Sequence, residues 1–405
     1  MSSSLSSFRR LWASTASMNL ADGMAHLAIP VLAVTGGATP LELAAVTTSQ
    51  LLPWLVLSPF AGIIADRRRR SRIIRASAAV RSVMCVAVVA MLLADSLTIA
   101  ALAGLGCVLG ASEVCADIAA QSAVPDVVHD EQLETAYGRI SATRVAGDSL
   151  LGPALSGLLL GIGPVAVFGA MAALFALSGA LIPNTHLAAS TGAARPTVLA
   201  DLRAAASVCW NDTWMRRAAA AVAALNFGQG VNATVLVAYA VRPGPLDLGE
   251  AGFGTLIAAV GVGSVLGGLA AEHLDHRMNT ARLLQLGLAG HVLAIAAPAI
   301  VTNPIGIGAL MFGGSLVSMS FGAKVISTRQ RRVAPDMRGR VNSLFHTVGL
   351  GAAPVGALAG GIALDTVGFR PTFIAASVIV AVTVVALHPW TITGTNSPAQ
   401  QRQST

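Results

Sequence analysis

The residues of this chain that could do chemistry are few, and they sit where charge is least welcome. Asp22 lies about halfway along the apolar run 11–34. Asn19, Asp22, Gly23 and His26 follow at i, i+3, i+4 and i+7, which is one stripe of a helix. A charge at the centre of a bilayer costs roughly 2.5–3.5 kcal/mol on insertion scales, so it persists where it faces a cavity or a partner. Such a carboxylate can take up and release a proton, and His26, one turn away, can share it. The alternative is a fixed Asp22, hydrogen-bonded to its neighbours. Glu113 and Asp117 share a face of the run 97–120 at i and i+4. Arg144 enters the next run from the same side at a depth similar to Glu113. An ion pair between Arg144 and Glu113 is expected, either static or opening and closing. Asn226 and Gln229 repeat the first stripe without charge and read as hydrogen-bonding groups for a small molecule. Lys324 reads as a snorkelling side chain and His346 as a packed one, whereas Arg81, within the third run, has no assigned partner.

The elements that must position these groups follow from composition. Of 405 residues, 54% are hydrophobic and 11% charged, with a mean hydropathy of +0.70. A soluble domain carries about a quarter charged residues, so lipid is the expected solvent and the bilayer the first partner. The net charge of +7 would suit nucleic acid, but its placement excludes that reading. The arginines cluster between apolar runs, as in Arg67–Arg70 with Arg72 and Arg75, and again at Arg329, Arg331, Arg332, Arg338 and Arg340. That is the pattern of cytoplasmic loops. Cys85, Cys107, Cys115 and Cys209 show no CxxC spacing, so neither a disulfide framework nor a zinc site is expected. No HExxH or His-rich cluster, and no serine with a plausible base, suggests an enzyme or a cofactor. The N-terminal run, with Arg9 and Arg10 ahead of it, reads as a membrane helix and not a cleaved leader.

A spanning helix needs about 20 apolar residues. Six runs in the first half meet this, at 11–34, 41–64, 73–94, 97–120, 138–162 and 164–183. Six more lie at 216–241, 250–271, 280–301, 305–328, 339–363 and 367–388. The prediction is an all-α membrane protein of twelve helices in two six-helix bundles, 1–183 and 216–390. The stretch 184–215 is then a cytoplasmic linker and 391–405 a disordered tail. With both termini inside, only Arg242 and Arg370 fall on the outer side, while Arg81, Arg144 and Lys324 lie within spans. That orientation obeys the positive-inside rule.

The halves also resemble each other. Asn19, Asp22 and Gly23 match Asn226, Gln229 and Gly230; Gly62 and Asp66 match Gly268 and Glu272. Gly138, Arg139 and Pro153 match Gly339, Arg340 and Pro354 at a slightly smaller displacement. Three matches in one order, displaced by half the chain, predict parallel repeats with a site between them.

The segment GIIADRRRR, Gly62 to Arg70, resembles the loop between helices two and three of the major facilitator superfamily. The stretches VPDVVHDEQLETAYGRISATRVAGDSLLGPALSG, 124–157, and RQRRVAPDMRGRVNSLFHTVGLGAAPVGALAGG, 329–361, are similar to its drug–proton antiporter-like branch, with enterobactin-exporter and macrolide-efflux relatives. The resemblance implies the major facilitator fold in the plasma membrane, a monomer, and secondary active efflux of a small amphipathic molecule coupled to protons. It also implies that Asp66 caps the facing end of helix eleven near Gly339 and Arg340, so that Gly62, Asp66, Arg67 and Arg70 latch the halves. Gly147, Gly152, Pro153 and Gly157 resemble a loose form of the helix-five antiporter motif and, with Pro354, should bend their helices. Helix four departs from the pattern, with Glu113 and Asp117 where many proton antiporters carry an arginine. No phosphate-binding GxxxxGK[ST] loop exists, which leaves an ion gradient or facilitated diffusion as the energy source. The rival is an uptake permease, whose sugar-binding forms commonly line their cavities with aromatic residues; here only 4% of residues are aromatic.

Overall fold

The computed structural model describes residues 2–67, 69–182, 206–333 and 337–386. Most of the expected linker and all of the expected tail lie outside the described residues. Twelve long helices carry the chain: α1 (Ser2–Thr35), α2 (Pro40–Arg67), α3 (Arg70–Leu93), α4 (Ile99–Ala123), α5 (Leu133–Ile162) and α6 (Pro164–Leu181). After the midpoint come α7 (Thr213–Ala240), α8 (Glu250–Arg277), α9 (Thr280–Ile300), α10 (Pro304–Arg332), α11 (Arg338–Val367) and α12 (Phe369–Ala386). Eleven are long and apolar enough to cross a membrane, and the last is apolar over Phe369–Thr383. The start of α1 marks the terminus side of the bundle.

Polar residues at the turns set the helix starts. Thr98 accepts from the Ala101 N–H at 3.1 Å, Asn279 from Arg282 at 2.8 Å and Asn303 from Gly306 at 2.7 Å. Each satisfies a donor that a helix N-terminus leaves free. At the start of α2, Thr39 and Glu42 cap each other: the Thr39 N–H donates to Glu42 Oε2 at 2.8 Å, and the Glu42 N–H to Thr39 Oγ1 at 3.3 Å. Together they form a capping box. Gly368, at φ +81°, turns α11 directly into α12.

α5 is not a plain α-helix. Val145–Leu151 forms a π-helical stretch, and Gly152 and Pro153 restart the α-helix. The motif glycines therefore do more than permit a bend. A Cβ on Gly23 of α1 would lie 2.6 Å from the carbonyl oxygens of Gly147 and Asp148, and one on Gly152 would lie 2.7 Å from Gly23. Only glycine lets α1 and α5 cross this closely. The second half repeats the device, with Gly230 of α7 pressed on Ala353 and Ala357 of α11. Taking Gly23 and Gly230 as equivalent, Gly152 corresponds to Ala353, which keeps Pro153 matched with Pro354.

The halves meet through equally small residues. Gly157 of α5 faces Gly254 of α8, Gly261 of α8 faces Ser149, and Gly361 of α11 faces Pro40 and Ala44 of α2. Thr48 donates to the Pro354 carbonyl at 3.4 Å. These contacts run from the end remote from the termini to mid-depth. The first segment of α5, Leu133–Arg144, makes no comparable packing on α8. Along this seam the halves are closed at the far end.

Candidate functional site

α1 runs through the interior, with α2, α4, α5, α6 and α7 around it. From Ala21 to Val31 every residue is buried except one, His26. Inside that packing Asp22 meets Arg81 of α3. Both carboxylate oxygens accept from Nη1 at 2.8 Å. Arg81 is fully buried, and its guanidinium also lies 5.2 Å from the centre of the Phe175 ring of α6. The ring face replaces part of the lost hydration, although Arg81 Nε and Nη2 have no hydrogen-bond partner among the described residues.

Asp22 therefore does not share a proton with His26, as the stripe had suggested. The spacing was right for one helix, but the two side chains turn to different neighbours. Arg81, which the sequence left unassigned, is the residue that reasoning missed. Its signal was available: a guanidinium at mid-span needs a carboxylate of matching depth, and Asp22 is one.

His26 instead bridges two other carboxylates. Its Nδ1 lies 2.9 Å from Asp148 Oδ1 of α5, and its Nε2 lies 3.5 Å from Glu113 Oε2 of α4. A protonated imidazole, with two N–H donors, satisfies both ends. Asp148 was not among the sequence candidates. It belongs to the π-helical stretch, whose widened turn displaces side chains from α-helical register, and such bulges occur often at functional sites.

The expected Glu113–Arg144 pair is replaced by another. Arg144 Nη1 donates to Asp117 Oδ2 at 2.7 Å, and Gln121 Nε2 donates to the same oxygen at 3.0 Å. Arg144 also lies 5.6 Å from the centre of the Trp54 ring of α2. Helical spacing puts Asp117 one turn nearer the terminus-side end of α4 than Glu113, level with the last α-helical residue before the π-helical stretch. His26 takes the place at Glu113.

The result is a ladder of charge across α1, α3, α4 and α5, open on one side. The His26 side chain is 36% exposed and that of Asp148 27%, against 0% for Arg81. Since helices surround α1, the opening at His26 leads into the interior of the molecule. Two arginines are taken by Asp22 and Asp117, so Glu113 and Asp148 share His26 alone. No grouping of three or more metal-ligating side chains poised for a metal occurs among the described residues.

The other candidates are dispersed. Asn19 is buried at the α1–α5 crossing, and a Cβ on Gly147 would touch its backbone. Asn226 Nδ2 donates back to the Val222 carbonyl at 2.8 Å. Gln229 is exposed between buried Gly228 and Gly230. The side chains of Gly62, Asp66, Arg67, Gly339, Arg340 and His346 lie outside the described residues, so the latch is not visible. Arg70, assigned to that latch, pairs instead with Asp126 at 2.6 Å, within the first half. The loop after α4 returns toward the start of α3 and brings Asp126 to Arg70.

Comparison with known proteins settles the class. A family model described as "Transmembrane secretion effector" matches residues 3–404. The chain belongs to this family of major facilitator transporters. An uncharacterised MFS-type transporter, y4rN, of Sinorhizobium fredii is 25% identical, with 94% of this chain and 95% of the relative covered. Among solved structures, the nucleoside transporter NupG superposes with a TM-score of 0.76 at 12% identity, covering 96% of this chain and 99% of its own. A bacterial homologue of the iron transporter ferroportin, in an inward-facing state, gives 0.74 at 17%, covering 96% and 99%. Major facilitator membership makes the protein a multi-pass membrane transporter and not an enzyme.

Proposed function

We propose that this transporter exports a small amphipathic molecule from the cytoplasm by alternating access, driven by proton entry. The observation that carries the reading is the His26–Glu113–Asp148 bridge, a proton-exchanging set placed mid-membrane and open to the interior. Glu113 and Asp148 hold one imidazole between them. Protonating either carboxylate releases one end of the bridge and loosens α1 from α4 or α5, a change within the first bundle that alters the face it presents as the two bundles rock against each other. The Arg144–Asp117 pair sits beside it and can exchange partners with Glu113 as the seam closes. Asp22, locked to Arg81, holds α1 against α3 and supports the bridge from behind; Asn19, Asn226 and Gln229 remain the substrate-facing candidates on α1 and α7. The loop Gly62–Arg70, with Asp66 against the start of α11 near Gly339, serves as the latch on the terminus side. Both termini are then cytoplasmic, in the plasma membrane, and the arrangement described, closed at the far end, faces inward. The partners are lipid, protons and the substrate, and the unit of function is the monomer.

The test is transport by everted membrane vesicles with an imposed inside-acid pH gradient, using a panel of amphipathic compounds. Gradient-driven accumulation is expected for the native chain and is lost in Glu113→Gln and Asp148→Asn, while substrate counterflow without a gradient survives. Accumulation that is indifferent to both substitutions would refute the assignment. Accumulation only in right-side-out vesicles would make the protein an uptake permease.

A further inference from the structure

A cavity lies away from the charged ladder, at the terminus-side end of the first half. It has a volume of about 440 Å³ and is walled by the start of α1, the α4–α5 connection and the first turns of α5. Its floor is apolar: Phe8, Val127 and Ala136 are 7%, 5% and 3% exposed. Its rim is polar, with Arg9 from α1 and Arg139 from α5 the two cations and Glu131 the one carboxylate. No ion pair occupies either arginine among the described residues, whereas Arg70, Arg81 and Arg144 nearby are each matched with an aspartate.

Two free guanidiniums over an apolar floor at the polar end of membrane helices define a chemistry. Guanidinium forks bind phosphate oxygens in pairs, and Gln132 and Thr135 on the same wall add neutral hydrogen-bonding groups. The apolar floor suits the glycerol and the first methylenes of a chain. We propose that this cavity binds the headgroup of an anionic phospholipid, with the phosphate between Arg9 and Arg139. A soluble phosphate would use the rim and leave the floor unfilled.

The position gives such binding a consequence. Arg139 lies on the α5 segment that ends at Arg144, immediately before the π-helical stretch carrying Asp148. The Trp12 indole N–H of α1 donates to Thr143 Oγ1 of α5 at 2.7 Å, between the cavity and the ladder. A phosphate held by Arg9 and Arg139 clamps the same two helices that the His26–Asp148 bond joins deeper in the membrane. The lipid therefore favours the α1–α5 arrangement seen here. This inference does not depend on the direction of transport or on the coupling ion.

The experiment uses the full chain purified in neutral detergent. Thermal unfolding is followed in mixed micelles with rising phosphatidylglycerol, with phosphatidylcholine, and with inorganic phosphate alone. Phosphatidylglycerol is expected to raise the midpoint saturably, and the other two to leave it unchanged. Arg9→Gln and Arg139→Gln each weaken the apparent lipid affinity about fivefold, the effect of one basic residue at an anionic surface, without moving the lipid-free midpoint. Native mass spectrometry of the same samples reads the bound lipid directly, and the double variant should retain fewer. An unchanged lipid response in the double variant overturns the proposal, and so does an equal shift from inorganic phosphate.

Discussion

The two halves of the molecule share a frame and differ in what they do with it. Gly23 against Gly147 and Gly152, and Gly230 against Ala353 and Ala357, are the same crossing made twice. One turn beyond the glycine the halves part. The first half carries His26 where the second carries Ala233, and both positions are exposed amid buried neighbours. Buried Asp22 matches exposed Gln229. Charge is thus gathered at the α1 crossing, and the matching stretch of α7 is neutral.

Breaking this comparison where it is deepest should have the largest effect. Arg81→Met leaves Asp22 buried without its cation, a change that costs about 3–5 kcal/mol when one partner of a buried pair is lost. The thermal midpoint should fall steeply, and Asp22→Asn in the same chain should restore much of it. Gln229→Leu, at the equivalent neutral position, should hardly register. If Arg81→Met and Gln229→Leu behave alike, the two halves are not electrostatically distinct.

Packing is where the halves should agree. Gly23→Val and Gly230→Val each force two helices apart, at about 1–3 kcal/mol, occasionally more, for overpacking. Their thermal midpoints should drop by similar amounts, and a tolerant Gly230→Val would deny the shared frame.

Function should separate them again. Glu113→Gln and Asp148→Asn are expected to lower gradient-driven transport by about 5–150-fold, the range of coupling energies between linked sites. Ala233→His, which places the imidazole on the neutral stretch of α7, should not compensate for His26→Ala. Recovery in that double variant would show that the half in which the charge resides is immaterial.

The smallest effect lies at the reciprocal cap of α2, where the Thr39 N–H and hydroxyl donate to the Glu42 carboxylate. Protonating that carboxylate weakens both bonds. Glu42→Ala should reduce the thermal midpoint slightly at neutral pH, and the difference should close in acid. A difference that persists at low pH would point to something other than the carboxylate.

How much of this could be read from the residues alone varies with the kind of interaction. The apolar runs announced twelve crossings, since 20 consecutive apolar residues have few other fates. The stripe from Asn19 to His26 lies on one buried helix, α1, and Glu113, Asp117 and Arg144 all belong to the ladder. The pairings were not legible. Asp22 reaches across to α3, His26 across to α4 and α5, and Arg144 to Asp117 in place of Glu113. A helical spacing tells which residues share a face, but not which neighbouring helix that face meets.

Asp148 and Arg81 illustrate the limit from both sides. Arg81 was conspicuous as a charge in an apolar run and lacked only a partner. Asp148 lay inside a glycine-containing motif and drew no attention, because only the π-helical widening of α5 turns it toward His26. Composition and periodicity determined lipid as the solvent, the number of rods and the doubling of the frame, because burial in hydrocarbon constrains every residue of a span at once. Tertiary structure decided which charges meet, because an ion pair depends on a few ångströms of helix rotation and offset, and those are set by where glycines allow two backbones to touch.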